Sequence, residues 1–115
     1  RRAEEYPADD FRRGDPRFAG ENFDSNMRAA AVVRQISNRR KDATPAQVAL
    51  AWLLHKGPDV VPIPGSKSRK HLEENAAAVD VSLTAAEMTA LDAALAAENV
   101  SGPRYNPRQM SMVDR

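Results

Sequence analysis

The stretch Val60-Val61-Pro62-Ile63-Pro64-Gly65 limits the folds open to this chain more than any other. Val60, Val61 and Ile63 are β-branched, and two prolines within five residues rule out a helix, so the run reads as a short strand that stops at Gly65. Ser66, Lys67 and Ser68 follow, and then a helical stretch whose first turn carries Arg69 and Lys70. A helix start has free backbone N–H groups and a positive dipole end, and here hydroxyls and cations are added to it. Cations at that end weaken a helix, so their presence points to an anion, and a phosphate suits the combination. His71, Glu74 and Asn75 fall at i, i+3 and i+4 and project from one side, where they could hydrogen-bond a heterocycle beside the phosphate. Leu72, Ala76 and Val79 fall on another side, which the spacing predicts as the core face. A polar start and a solvated face on an ordinary strand-turn-helix account for the same spacing.

Ile63-Pro64-Gly65-Ser66-Lys67 followed by Leu72-Glu73-Glu74-Asn75 resembles the nicotinamide-cofactor segment of the aldo-keto reductases. In that family the segment lies on the eighth strand and eighth helix of a (β/α)8 barrel and holds the 2′-phosphate and adenine of NADP(H). The resemblance runs over nearly the whole chain, from Asp10-Phe11-Arg12 through Thr44-Pro45-Ala46-Gln47-Val48-Ala49-Leu50-Ala51-Trp52 to Arg104-Tyr105. It is closest to bacterial and plant members with a Gly-Ser/Thr-Lys turn. It implies that Gly65, Ser66 and Lys67 surround the 2′-phosphate with Arg69 as a second cation, that His71 lies against the adenine, and that Glu74 and Asn75 bond its edge. The family more often has a basic residue where Gly65 stands and an arginine where His71 stands. Here the charge has moved to Lys67, Arg69 and Lys70, which leaves open which cation meets the phosphate. The implied parent reaction is reversible hydride transfer between NADPH and an aldehyde or ketone.

A (β/α)8 barrel needs roughly 250 residues or more, and this chain has 115. The expected fold class is therefore α/β, the C-terminal part of a TIM barrel, with this chain itself mostly helical around one short strand. The family's catalytic Asp, Tyr, Lys and His lie on the early strands and their loops, and no stretch here resembles those. The chain is expected to be the C-terminal third of such an enzyme, as a fragment, cleavage product or truncated gene product, with no catalytic residue of its own and no activity alone. Leu, Val, Ile and Phe together supply 21 residues and alanine 20. At about 25 cal/mol per Å² buried, alanines stabilise little, so these helices are expected to pack onto something else. The alternative is a non-catalytic helical module that self-associates or binds a partner. An unpaired Val60–Ile63 strand would expose both edges, which predicts pairing with a second copy or with the missing N-terminal portion, or partial disorder.

Seventeen basic against sixteen acidic residues leave a net charge of +1, which argues against a general nucleic-acid footprint. Arg39-Arg40-Lys41 reads as a solvated helix end, since no aromatic residues interleave with it. Without cysteine there is no disulfide, no zinc-thiolate site and no cysteine nucleophile, and no metal site is expected. Neither a membrane span nor a signal peptide is seen, so a cytoplasmic protein is expected. Phosphate binding without redox chemistry is the weakest reading, because Gly65-Ser66-Lys67-Ser68 lacks the preceding glycine of a Walker loop.

In chain order, residues 1–20 read as an irregular connecting loop anchored by Tyr6, Phe11 and Phe18, and 21–98 as the barrel segment. Within it a helix is predicted from Glu21 to Arg40, and a second starts at Thr44-Pro45-Ala46-Gln47, with Thr44 as cap and Gln47 closing a capping box. Trp52 falls at the centre of that helix's apolar face and reads as core, while His55 reads as a surface residue. After the cofactor helix, Thr84 to Glu87 opens a last helix that should end near Ala97-Glu98. Residues 99–115 form a C-terminal loop, with Gly102-Pro103 and Asn106-Pro107 expected to break any regular element.

Overall fold

The structure is a computed structural model that describes residues 1–113. Its helices are α1 (Gly20–Arg40), α2 (Pro45–Leu54), α3 (Arg69–Ala76), α4 (Ala85–Ala94) and the one-turn α5 (Pro107–Met110), joined by several 3-10 turns. The chain divides into two compact units, residues 1–29 with 95–115, and residues 30–94.

The 30–94 unit holds nearly all of the fully buried side chains. Ile36 of α1, Val48 of α2 and Leu91 of α4 are its largest, joined by Ala51 and Ala78. α2 starts where the sequence says it should: the Thr44 Oγ1 accepts from the Gln47 N–H at 3.3 Å, and the Gln47 Oε1 accepts from the Thr44 N–H at 2.9 Å. α3 runs on into a 3-10 turn, Ala77–Asp80, that packs on α2. With only a methyl group each, Ala51 and Ala78 allow the two backbones to approach closely and contribute little transfer free energy in doing so.

Polar ties complete this unit. The Arg40 guanidinium donates to the Ser82 carbonyl at 2.8 Å and to Glu87 at 3.1 Å, joining the end of α1 to the start of α4. It is one-sixth exposed, so the expected solvated helix end is a structural clamp at its middle residue. The Trp52 Nε1 donates to Asp92 at 2.7 Å, and Lys56 both pairs with Asp92 and stands over the indole ring. Trp52 is thus half-buried and hydrogen-bonded to α4, not enclosed core. Lys56, and after it the indole N–H, hold the Asp92 carboxyl below its ordinary range.

In the other unit, 3-10 turns and long polar bonds do what a hydrophobic core would otherwise do. The Asn26 side chain donates to the Ser101 carbonyl at 2.9 Å and accepts from the Ser101 N–H at 2.9 Å, as a backbone strand would. Gly102 has φ +88, and a Cβ there would lie 2.9 Å from the Asn22 side chain and 3.3 Å from the Pro16 backbone. Both the dihedral and the close approach require glycine. Tyr6 meets Phe18 edge to face at 5.8 Å, and Arg12 covers the Tyr6 ring at 4.2 Å.

Several expectations need correction. No β-strand occurs among the described residues: Val60–Pro64 enters no helix and pairs with no other segment. Ladder formation needs a neighbour, and Pro62 and Pro64 have no N–H to offer one. The α3 face expected to be core is open, with Leu72 60% and Val79 71% exposed, because no element of this unit covers it. Residues 1–20 carry three short 3-10 turns, and of their three aromatic residues Phe11 is 77% exposed, not an anchor. α4 ends at Ala94, short of Ala97. In the tail, Asn106-Pro107 starts a helix instead of breaking one, through the same cap-and-proline arrangement seen at Thr44-Pro45, with Gln109 closing the box.

Candidate functional site

α3 begins at Arg69 because Ser68 has extended backbone, φ −134 and ψ 134, and its Oγ accepts from the His71 N–H at 3.5 Å. That cap fixes the direction in which the first turn emerges. The preceding turn is closed by Ser66, whose Oγ donates to the Ser68 carbonyl at 2.8 Å and accepts from the Ser68 N–H at 3.3 Å. Lys67, Arg69 and Lys70 are exposed and pair with no described acid. Three uncompensated cations at the positive end of a helix repel one another and the dipole, and a bound anion removes that cost.

Gly65, His71, Glu74 and Asn75 surround one recess of about 290 Å³, with Ala46 of α2 as the remaining wall. The volume is near the lower end of small-molecule sites, about 300–1,000 Å³. A Cβ on Gly65 would stand in open space, so no protein atom demands glycine there and the room belongs to the recess. Ser66, Lys67 and Arg69 do not line it; they stand on the turn and helix start beside it in the chain. The seven residues singled out in the sequence therefore divide into a four-residue recess and an edge of one hydroxyl, Ser66, and two cations, Lys67 and Arg69.

One wall was not legible in the sequence. The Thr44 Oγ1 donates to the Glu74 Oε1 at 2.6 Å, and the Gln47 Nε2 donates to the Glu74 carbonyl at 3.0 Å. The start of α2 thus holds the middle of α3. The capping box of Thr44 and Gln47 could be read from local spacing, but a partner 30 residues away could not.

Two other recesses lie in the same unit. One, about 450 Å³ at the α1–α2 connection, is lined by Thr44 and Gln47 but by none of the seven residues singled out in the sequence. Another of about 380 Å³ is almost wholly apolar and sits on the open face of α3, between Leu72 and Val79 on one side and Leu54, Val61 and Pro62 on the other. Among the described residues no group of three His, Asp or Glu stands close enough together to hold a metal ion. No helix among them is long and apolar enough to cross a membrane.

Residues 1–96 match the model of the Aldo/keto reductase family. The chain is also similar to the Schizosaccharomyces pombe aldo-keto reductase yakc, whose name specifies NADP(+), at 40% identity over 104 residues, 90% of this chain and 30% of that protein. To the Strobilurus tenacellus aldo-keto reductase str7 it is 36% identical over 110 residues, 96% of this chain and 32% of that protein. The chain therefore spans about a third of the length of these curated relatives. No solved structure matches it.

Proposed function

The chain belongs to the aldo/keto reductase family, whose members are oxidoreductases, and from this we propose that it carries the NADP(H)-binding part of an enzyme that reduces an aldehyde or ketone reversibly. The observation that carries this reading is the single recess formed by Gly65, His71, Glu74 and Asn75 next to an unpaired cationic helix start. A relative named for NADP(+) supports the choice of cofactor. The family implies a (β/α)8 barrel. In this reading residues 21–98 are the barrel segment, residues 1–20 and 99–115 are loops around it, and the enzyme works in the cytoplasm.

The residues fit the cofactor's chemistry. A 2′-phosphate is a dianionic acceptor, and Lys67 and Arg69 meet it with charge-assisted hydrogen bonds. Ser66 contributes its hydroxyl by exchanging the Ser68 carbonyl for a phosphate oxygen. Adenine presents an amino donor beside ring-nitrogen acceptors, so the acceptor-only Glu74 carboxylate takes the amino group and the Asn75 amide can serve either. His71 lies against the base, and Gly65 leaves space for it. When bound, NADPH supplies the hydride; the residues of this chain bind and orient it and take no part in the proton transfer.

The test is a calorimetric titration of the chain with NADPH, with NADH as control, repeated on Lys67→Ala. Charge-assisted contacts are worth about 1.5–3 kcal/mol, so this variant should bind NADPH roughly 10- to 150-fold more weakly and NADH much as before. Equal losses for both cofactors contradict the phosphate assignment, and no saturable binding by the unmodified chain contradicts the cofactor reading for this polypeptide. A non-catalytic, self-associating helical module is the second reading, favoured by the 93% exposure of Ile63 beside an open apolar recess.

A further inference from the structure

We infer that Thr44 and Gln47 are positioning residues for adenine recognition, acting through Glu74 from a different helix; this rests on the cofactor reading above. As the cap of α2, Thr44 needs only to accept a hydrogen bond, and its Oγ1 does so from the Gln47 N–H. The hydroxyl proton is surplus to that task, and it is spent on the Glu74 Oε1 at 2.6 Å. Gln47 is built the same way. Its Oε1 closes the capping box, and its remaining amide group donates to the Glu74 carbonyl.

Glu74 is consequently held at both backbone and side chain, although a carboxylate on an exposed helix face is ordinarily free to rotate. The Glu74 carboxylate has a second oxygen that meets no donor among the described residues, and the residue lines the recess. One fixed oxygen and one unspent oxygen is the arrangement a site needs to accept a hydrogen bond from an amino group at a set angle. Pre-ordering the carboxylate removes its rotamer entropy from the cost of binding. Because adenine is common to NADPH and NADH, this device acts on both cofactors alike. The Lys67 and Arg69 edge acts on one.

Two substitutions separate positioning from helix capping. Thr44→Asp keeps a good cap but has no proton for Glu74 and sets a like charge against it. Gln47→Glu keeps the capping box but loses the amide donor. Calorimetric titration of the full chain should show affinity for NADPH and for NADH falling together, roughly 10-fold or more for Thr44→Asp and roughly 2- to 10-fold for Gln47→Glu. Far-UV circular dichroism should be unchanged, and Thr44→Ser should restore both affinities. Should Thr44→Asp fail to fold, Gln47→Glu carries the test.

If both variants bind as the parent does while Glu74→Ala weakens binding, the positioning role is wrong and the cofactor reading stands. A loss confined to NADPH also overturns it. If Glu74→Ala itself has no effect on either cofactor, the adenine assignment fails and the inference fails with it.

Discussion

Ser37 is the one polar side chain among the described buried residues, and the reason is in the turn it faces. Its Oγ donates to the Ala43 carbonyl at 2.6 Å, and its own carbonyl accepts from the Lys41 N–H at 3.0 Å, with Lys41 in the left-handed region at φ 62. One residue thereby holds both sides of the chain reversal between α1 and α2. Removing the hydroxyl leaves a buried carbonyl without that donor, so Ser37→Ala should cost about 1–3 kcal/mol, read as a lower urea midpoint at constant slope. A variant as stable as the parent would show that the reversal is held by the Lys41 bond alone. In sequence Ser37 is one more polar residue near the end of the predicted Glu21–Arg40 helix. Nothing local indicates that its proton has a carbonyl waiting six residues on.

At the scale of elements, the start of α4 is where charge and capping coincide. Glu87 closes the box with Thr84 and also receives Arg40 from α1. Its carboxyl is held below the ordinary value of 4.5, first by the Thr84 N–H and then, against the opposing effect of burial, by the Thr84 hydroxyl and Arg40. A lowered carboxyl pKa means that the ionised form favours the folded state. The stability it contributes is complete above pH 4.5 and is lost as the pH falls through the lower folded-state value. Glu87→Gln retains a cap-forming side chain without the charge. The expected outcome is a stability deficit at neutral pH that narrows steadily below pH 4.5, measured by thermal unfolding of both proteins across pH 3 to 7 in roughly half-unit steps. A deficit that does not change with pH would assign the loss to shape instead of charge. The box itself was readable from Thr84 and Glu87, whereas Arg40 read as solvated because, beyond its local partner Asp42, the groups that tie it to α4, Ser82 and Glu87, are more than 40 residues away.

For the molecule as a whole, the 30–94 unit leaves an apolar face uncovered, with Val61 77%, Val79 71% and Leu72 60% exposed around one recess, and Ile63, 93% exposed, outside its lining. A face of that character favours association, so sedimentation velocity should show a weight-average mass that rises with concentration, and Ile63→Lys with Leu72→Glu should suppress the rise. A mass independent of concentration in the unmodified chain would contradict this, and with it the second functional reading. What depends on near neighbours could be read along the chain: α1 and its limits, the start of α2, the capping boxes at Thr44 and Thr84, the turn into α3, and the family through the Gly65-Ser66-Lys67 and Glu74-Asn75 pattern. Those signals arise from backbone hydrogen bonds and side-chain spacings that repeat within a few residues. Tertiary structure decided the rest. Val60–Ile63 has strand-forming residues but no neighbour to pair with, Leu72 and Val79 have helical spacing but nothing to bury them, and Glu74 is fixed by Thr44 and Gln47 because packing of α3 on α2 brings them within hydrogen-bonding distance. Whether an apolar or polar group finds its partner depends on distances through space, which residue spacing along the chain does not encode.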